Sequence, residues 1–171
     1  MVAYWLIPAE AARSFFVSVI GELALRFDAP IFEPHVTIYG TRMGEDMPAE
    51  VLNRVLLGCP PFQLSICNLR YSDSFTKTVF VQFEPSPRLV QLSHALQKAS
   101  ASHDRYDLNP HLSLIYKKMA HKAKLDVTAS IHLPFTEVLF NLVKAVICPM
   151  QTASRQDVES WRVAAIRGLT E

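Results

Sequence analysis

One five-residue pattern occurs twice in this chain and limits the folds that it can adopt. Pro34-His35-Val36-Thr37-Ile38 and Pro110-His111-Leu112-Ser113-Leu114 both consist of proline, histidine, an aliphatic residue, a hydroxyl residue and an aliphatic residue. The two histidines lie 76 positions apart, close to half of the 171 residues. A motif repeated at half the chain length predicts two similar lobes that face each other across a pseudo-twofold axis.

The alternation within each motif is typical of a β-strand. Because residues i and i+2 of a strand point to the same face, His35 and Thr37 share one face, and His111 and Ser113 do the same. The aliphatic residues between them point into a core. The preceding proline keeps the chain extended before the strand. If the two strands meet between the lobes, two imidazoles and two hydroxyls converge on one cleft.

Helical and extended patterns are mixed along the chain without a regular strand-helix-strand repeat. Apolar residues recur every three or four positions over residues 9–27, which predicts an amphipathic helix. Further helices are predicted over 48–57, 87–101 and 118–129. Strands are predicted over 3–7, 32–40, 62–70, 76–83, 111–116, 131–137, 138–148 and 161–169. The pattern predicts an α+β fold with a mostly antiparallel sheet in a single domain, residues 1–171.

The composition excludes several classes of protein. Seventeen Lys and Arg residues face sixteen Asp and Glu residues, and this balance argues against a general nucleic-acid binder. No apolar run approaches the roughly 18 residues of a membrane span. Cys59, Cys67 and Cys148 form no Cys-x-x-Cys pair, so we expect three buried free thiols in a reducing compartment. We expect a cytoplasmic monomer that does not associate with a membrane.

The two motifs together suit phosphate-ester chemistry. A neutral imidazole takes a proton from water and an imidazolium gives one to a departing alkoxide, so His35 and His111 are the candidate catalytic pair. The hydroxyls of Thr37 and Ser113 are able to donate hydrogen bonds to non-bridging phosphoryl oxygens. A cyclic phosphate is strained and its leaving oxygen stays tethered, so we expect neither a metal nor a cofactor.

The other histidines show no comparable pattern. His94, His103, His121 and His132 are not spaced as zinc ligands with a second histidine or cysteine. We assign them no catalytic role. The segment 103–107 is polar and is predicted to be a solvated loop.

On these residues the chain resembles the two-histidine phosphoesterase superfamily, whose signature is a pair of histidine-x-threonine/serine motifs. Within it, the chain is most similar to cyclic phosphodiesterases of the plant and yeast type. The similarity covers Tyr4-Trp5-Leu6-Ile7-Pro8, Phe32-Glu33-Pro34-His35-Val36-Thr37, Asn109-Pro110-His111-Leu112-Ser113-Leu114-Ile115-Tyr116, residues 143–148 and Ser160-Trp161-Arg162-Val163.

The resemblance implies a fold and an activity. It implies two pseudo-symmetric lobes, each an antiparallel sheet with outer helices, around a central cleft. It also implies a metal-independent cyclic phosphodiesterase that hydrolyses small cyclic phosphates on ribose. The implied substrates are ADP-ribose 1″,2″-cyclic phosphate, nucleoside 2′,3′-cyclic phosphates or a related ribose cyclic phosphate.

The resemblance also carries roles onto single residues. It implies that His35 and His111 are the acid/base pair, and that Thr37 and Ser113 hold the phosphate. We expect His111 to activate the water and His35 to protonate the leaving oxygen, although the two motifs are nearly equivalent by sequence.

Three residues outside the motifs are further candidates. Tyr116 matches a tyrosine that contacts substrate in relatives, although it needs a bulge or the strand end to turn it toward the face of His111. Lys77 lies with Phe75 and Thr76 in a loop that relatives place over the cleft, where its charge would neutralise phosphate, unless it is a solvated strand lysine. Trp5 either lines the cleft or is a core residue.

Two alternatives remain open. The first is an RNA 2′,5′-phosphodiesterase or a ligase-like RNA-processing enzyme, which needs a basic groove. Lys117, Lys118, Lys122 and Lys124 are the candidate cluster, but they are also consistent with a solvated helix face. The second is a non-catalytic binding protein, which the presence of all four motif residues does not favour. The low net charge favours a small substrate over a long nucleic acid.

Overall fold

Strands and helices follow one another in an order that occurs twice. A computed structural model describes residues 1–102 and 104–170. The described strands are β1 (Val2–Pro8), β2 (Val36–Thr41), β3 (Phe62–Tyr71), β4 (Val79–Phe83), β5 (His111–Ile115), β6 (Glu137–Ile147) and β7 (Arg162–Gly168). The described α-helices are α1 (Glu10–Phe27), α2 (Pro48–Val55), α3 (Pro87–Ala99), α4 (His121–Ser130) and α5 (Arg155–Glu159). The order β1-α1-β2-α2-β3 is therefore followed by β4-α3-β5-α4-β6, and then by α5 and β7.

The strand pairings repeat in the same way. The antiparallel β1–β2 pair corresponds to β4–β5, and the antiparallel β1–β6 pair corresponds to β3–β4. The helices correspond as well, because α1 packs against β5 and α3 packs against β2. This correspondence is the predicted pseudo-twofold relation, and it makes β2 and β5, the strands of the two motifs, equivalent.

The strands form two lobes that meet at two seams. The first lobe contains β2, β1, β6 and β7, and the second contains β5, β4 and β3. One seam is the bridging pair Val36–Leu112 between β2 and β5, and the other pairs Phe62–Ser65 of β3 with Glu137–Phe140 of β6. The α+β class with antiparallel strands is confirmed. The seams make the strands of both lobes continuous in one seven-stranded sheet.

The motif strands bury one face and present the other. Val36, Ile38, Leu112 and Leu114, the aliphatic positions of both motifs, have no exposed surface. Burial of each such side chain stabilises the fold by roughly 1.5–3 kcal/mol. The opposite face is left to the imidazoles and hydroxyls.

Each motif strand also carries a bulge. The β1–β2 register skips Ile38, and the β4–β5 register skips Leu114. An extra residue in a strand reverses the alternation of side chains beyond it. As a result Tyr116, which follows β5 directly, faces the same side as Ser113, as its candidate role requires.

The helices match the sequence periodicity. Apolar residues of α1 such as Phe16 and Ile20 are buried, while Leu25 on the opposite side is 88% exposed. The side chain of Ser86 accepts a hydrogen bond from the backbone N–H of Leu89 and so caps α3. The four helices predicted from the sequence are confirmed, with ends that differ by at most three residues.

Several expectations are wrong. Residues 131–136 form no strand, and β6 begins only at Glu137. The predicted strand over 76–83 starts at Val79, because Phe75–Lys77 form a short 3-10 helix. The short helix α5 begins at a capping box between Ser154 and Asp157 and was not predicted from the sequence.

The three cysteines are free as expected, but none of them is fully buried. Cys59 and Cys148 are half-buried and Cys67 is exposed. Cys67 is the extra residue of a bulge in β3, between Ile66 and Asn68, which turns it away from the core. None of the described helices combines the length and the apolar character that crossing a membrane requires.

We expect Leu112→Ala to lower the free energy of unfolding by about 2–5 kcal/mol, because Leu112 is fully buried and forms the β2–β5 seam with Val36. Urea denaturation measures the change. The exposed Leu25 provides the matched control, and Leu25→Ala is expected to change stability by less than about 0.5 kcal/mol. Equal effects of the two substitutions would contradict the role of the seam.

Candidate active site

A cavity of about 500 Å³ brings the two motifs together. His35 and Thr37 from the first lobe line it, as do His111 and Ser113 from the second. The size is typical of pockets for small molecules. The β2–β5 seam places the two histidine-x-hydroxyl pairs side by side in this cavity.

His35 is held rigidly. Its Nδ1 lies 2.6 Å from the backbone oxygen of Glu33, and its ring stacks on Trp5 with centroids 3.8 Å apart. Because a carbonyl only accepts, Nδ1 donates the proton and Nε2 carries the lone pair of the neutral ring. Burial lowers the pKa of His35 to about 4, and the charge of His111 adds to this, while the bond to Glu33 opposes it. The imidazole is therefore neutral at pH 7.

His111 has the same arrangement in a more open setting. Its Nδ1 lies 2.7 Å from the backbone oxygen of Asn109, again two residues earlier in the chain. The ring meets Phe80 edge to face with centroids 5.5 Å apart, and His111 is only half-buried. Burial lowers the pKa of His111, and the nearby charge of Lys77 lowers it as well. The fixed tautomer again leaves Nε2 for chemistry.

The residues that supply the two carbonyls differ in charge. The Glu33 carboxylate accepts hydrogen bonds from Lys144 Nζ at 2.7 Å and from Arg13 Nη2 at 2.7 Å. In the other lobe, Asn109 Oδ1 accepts one from Gln82 Nε2 at 3.0 Å. Charged groups therefore fix the segment before His35, and neutral amides fix the segment before His111.

The hydroxyl groups are linked to the cavity walls. Ser113 Oγ donates to the Thr76 carbonyl at 2.7 Å, and Thr76 also lines the cavity. Burial raises the pKa of Tyr116, and its hydrogen bond with Ser113 opposes this rise. Tyr116 stacks on Phe32 with centroids 3.9 Å apart and lines the cavity.

Sequence reasoning missed Tyr106. It lines the cavity, and its hydroxyl donates to the Thr37 backbone oxygen at 3.2 Å. Burial raises its pKa to about 12. Asp104 anchors this loop through a salt bridge to Arg42. The expected solvation therefore holds for the exposed Arg105 and Asp107 but is wrong for the half-buried Asp104 and Tyr106. An aromatic residue inside a polar segment was the available signal.

Trp5 and Lys77, two other candidate residues, lie in and beside the cavity respectively. Trp5 is both 5% exposed and part of the cavity lining, so the two expectations for it hold together. Lys77 lies beside the cavity rather than in its lining, with its ammonium 4.8 Å from the centre of the Phe80 ring. Burial lowers the pKa of Lys77.

The expected solvated helix face holds only in part: Lys118 and Lys122 are exposed, whereas Lys117 and Lys124 bond to other parts of the chain. Lys124 is 3% exposed, and its ammonium bonds the Ser72 carbonyl at 3.1 Å and the Asp73 carboxylate. Lys117 donates to the Asp28 carbonyl at 2.9 Å. These bonds tie two of the four lysines to the protein.

Among the four histidines outside the motifs, His103 lies outside the described residues.

The chain is similar to known proteins in sequence. A family model described as the 2′-5′ RNA ligase superfamily matches residues 24–147. The chain belongs to this superfamily. The matched segment contains both motifs, and the two-histidine resemblance is thereby confirmed. No curated protein matches the chain by sequence.

Solved structures share the fold over nearly the whole chain. TT0787 of Thermus thermophilus is 16% identical with a TM-score of 0.61, and the alignment covers 98% of this chain and 97% of that one. E. coli LigT complexed with 3′-AMP is 15% identical with a TM-score of 0.52, covering 99% and 98%. Kluyveromyces marxianus Usb1 is 13% identical with a TM-score of 0.51, covering 98% and 96%.

Possible metal ligands are scattered rather than grouped. Among residues 1–102 and 104–170, no three His, Cys, Asp or Glu side chains are arranged so that they could hold a metal ion. The expected independence from metals stays a prediction.

We expect Glu33→Gln to lower the free energy of unfolding of this protein by about 1–3 kcal/mol. Lys144, with 12% of its side chain exposed, would lose its counter-charge. Thermal or urea denaturation measures this change. Asp126→Asn removes the same charge from an exposed pair with Lys122 and is expected to change stability by less than about 0.5 kcal/mol. A neutral result for Glu33→Gln would mean that the ion pairs do not hold this segment.

The burial of His35 also predicts a pH dependence. Between the ordinary pKa of 6.5 and about 4, the unfolded chain takes up a proton at this position and the folded chain does not. The free energy of unfolding therefore falls as the pH falls through this range, by on the order of 3 kcal/mol in total. The difference between wild type and His35→Gln isolates this contribution. Stability curves that stay parallel from pH 7 to pH 4 would contradict it.

Proposed function

We propose that this protein is a metal-independent cyclic phosphodiesterase that opens small cyclic phosphates on ribose. The observation that carries the proposal is that both imidazoles, each oriented by a backbone carbonyl, line one cavity with both motif hydroxyls. Membership of the 2′-5′ RNA ligase superfamily supports phosphoester chemistry in general. The 3′-AMP complex of LigT, a fold relative, supports a ribose phosphate as ligand.

The environments of the two histidines favour specific roles. His35 is neutral at pH 7 with the Nε2 lone pair available, so it acts as the general base that takes a proton from water. His111 is less buried, and a bound phosphate anion favours its charged form, so it acts as the acid. This assignment reverses the one expected from sequence, because burial distinguishes two motifs that the sequence makes nearly equivalent.

The reaction then balances in one displacement. The water oxygen forms a bond to phosphorus while its proton moves to His35 Nε2. The bond from phosphorus to one ring ester oxygen breaks, and His111 Nε2 donates a proton to that oxygen. The product is a ribose phosphate monoester, and a proton exchange with solvent restores both imidazoles.

The hydroxyl groups hold the phosphate in this scheme. Thr37 and Ser113 donate to the non-bridging oxygens, for which Ser113 must turn its proton away from the Thr76 carbonyl. Tyr116 is then the donor that satisfies Ser113 Oγ and contacts the substrate. Lys77 supplies positive potential from beside the cavity rather than a direct contact.

The RNA-processing alternative has specific support in the superfamily's description and in the fold match to Usb1. It needs a basic path for the nucleic acid. The partners of Lys117 and Lys124 work against such a path, so we place this alternative second. The size of the cavity supports a small substrate, and the free cysteines support a reducing, cytoplasmic setting.

The test is product analysis on a panel of substrates in the presence of EDTA. The panel contains ADP-ribose 1″,2″-cyclic phosphate, nucleoside 2′,3′-cyclic phosphates, ribose cyclic phosphates and a 2′,5′-linked oligonucleotide. We expect a small cyclic phosphate to be opened despite the chelator. We expect His35→Ala and His111→Ala each to lower kcat by roughly 10²–10⁴-fold.

His94→Ala serves as the matched control, because His94 is an exposed histidine on α3 and does not line the cavity. It should leave turnover unchanged. Activity that survives the double substitution His35→Ala, His111→Ala would overturn the two-histidine mechanism. Cleavage of the oligonucleotide alone would instead establish the RNA-processing alternative.

A further inference from the structure

The two histidine-x-hydroxyl pairs are nearly symmetric, so other residues of the cavity must determine how a substrate is oriented. A cyclic phosphate presents two ester oxygens, and the two histidine-x-hydroxyl pairs face it from equivalent strands. These four groups alone do not determine which ester oxygen lies beside the acid. An element that breaks the symmetry must therefore fix the direction of the substrate.

The strongest departure from symmetry is the segment that follows β6. All six of its residues from 148 to 153 line the cavity. The equivalent segment after β3, residues 72–78, contributes Thr76 to the lining. One wall of the cavity thus has no match across the pseudo-twofold axis, and we call it the 148–153 wall.

The chemistry of this wall suits an uncharged ring. Gln151 offers an amide with two donors and an acceptor, Thr152 offers a hydroxyl, and the Met150 thioether is 63% exposed. Within the described part of the chain, the side chains of these three residues have no hydrogen-bond partner. By contrast, His35, His111 and Ser113 are all bonded to backbone carbonyls.

The wall is fixed at both ends. The Cys148 N–H donates to the Met1 carbonyl at 3.0 Å, and the Ala153 N–H donates to Asp157 Oδ2 at 2.9 Å. Asp157 itself belongs to the capping box that starts α5. The anchored ends fix the backbone of the wall before a ligand binds, so binding has to order only the side chains of Met150, Gln151 and Thr152.

We propose that the 148–153 wall binds the uncharged nucleobase of the substrate and thereby selects the ester oxygen that His111 protonates. The inference rests on the proposed function. It narrows the substrate class to nucleoside 2′,3′-cyclic phosphates, whose base meets neutral side chains here. In ADP-ribose 1″,2″-cyclic phosphate the adenine is instead joined to the other ribose, beyond the pyrophosphate, and so is far from the cyclic phosphate.

Kinetics on matched substrates test this proposal. We expect Gln151→Ala and Met150→Ala each to raise KM for a nucleoside 2′,3′-cyclic phosphate by about 2–10-fold, the effect of one lost contact. For ribose 2,3-cyclic phosphate, which has no base, kcat/KM should stay within about twofold. The ratio of 2′- to 3′-monophosphate products should move toward one in the double variant.

Gln91→Ala is the matched control, because Gln91 is exposed on α3 and lies outside the cavity. Equal losses on the nucleoside and the abasic substrate, or no change on either, would overturn the proposal while leaving the two-histidine reaction intact. Adenosine binding to wild type and Gln151→Ala, measured by calorimetry, tests the wall without turnover. Binding that Gln151→Ala does not weaken would also overturn it.

Discussion

Two backbone carbonyls determine what this cavity can do. Each accepts from the Nδ1 of the histidine two residues later, at 2.6 Å for Glu33 and 2.7 Å for Asn109. Such a bond fixes both the tautomer and the plane of the ring, so Nε2 is the nitrogen left for the substrate. The ion pairs of Glu33 hold the segment that carries the carbonyl, and the stacking on Trp5 holds the His35 ring against it.

The fold gives similar side chains unequal surroundings. Strand pairing relates β2 to β5 and supplies two matching sets of imidazole and hydroxyl. His35 lies under Trp5 and is almost fully buried, whereas His111 meets only the edge of Phe80 and is half-buried. A symmetric scaffold thus gives two matching imidazoles different electrostatic surroundings, and burial opposes the charged form of His35 more strongly than that of His111.

The sequence predicted the parts of this arrangement that depend on local pattern. The alternation around His35 and His111 predicted the strand faces, and the apolar periodicity predicted α1. Contacts between residues far apart in the sequence could not be predicted from local pattern. Tyr106 reaches the cavity because Asp104 bonds to Arg42, 62 positions earlier, and Lys124 is buried because Asp73 lies beside it. Neither partner is visible from the residues near the lysine or the tyrosine.

The position of β1 has a consequence for how the protein is made. This strand pairs with β2 on one side and with β6 on the other, where Trp5 lies opposite Lys144, and β1 leaves the ribosome long before β6 does. Contacts between residues so distant in sequence form slowly, because a long loop must close first. The stack of Trp5 on His35 therefore gains its full support only after β6 has been synthesised. A nascent chain that stops short of β6 has both histidine motifs but lacks the strand that holds them in a working geometry.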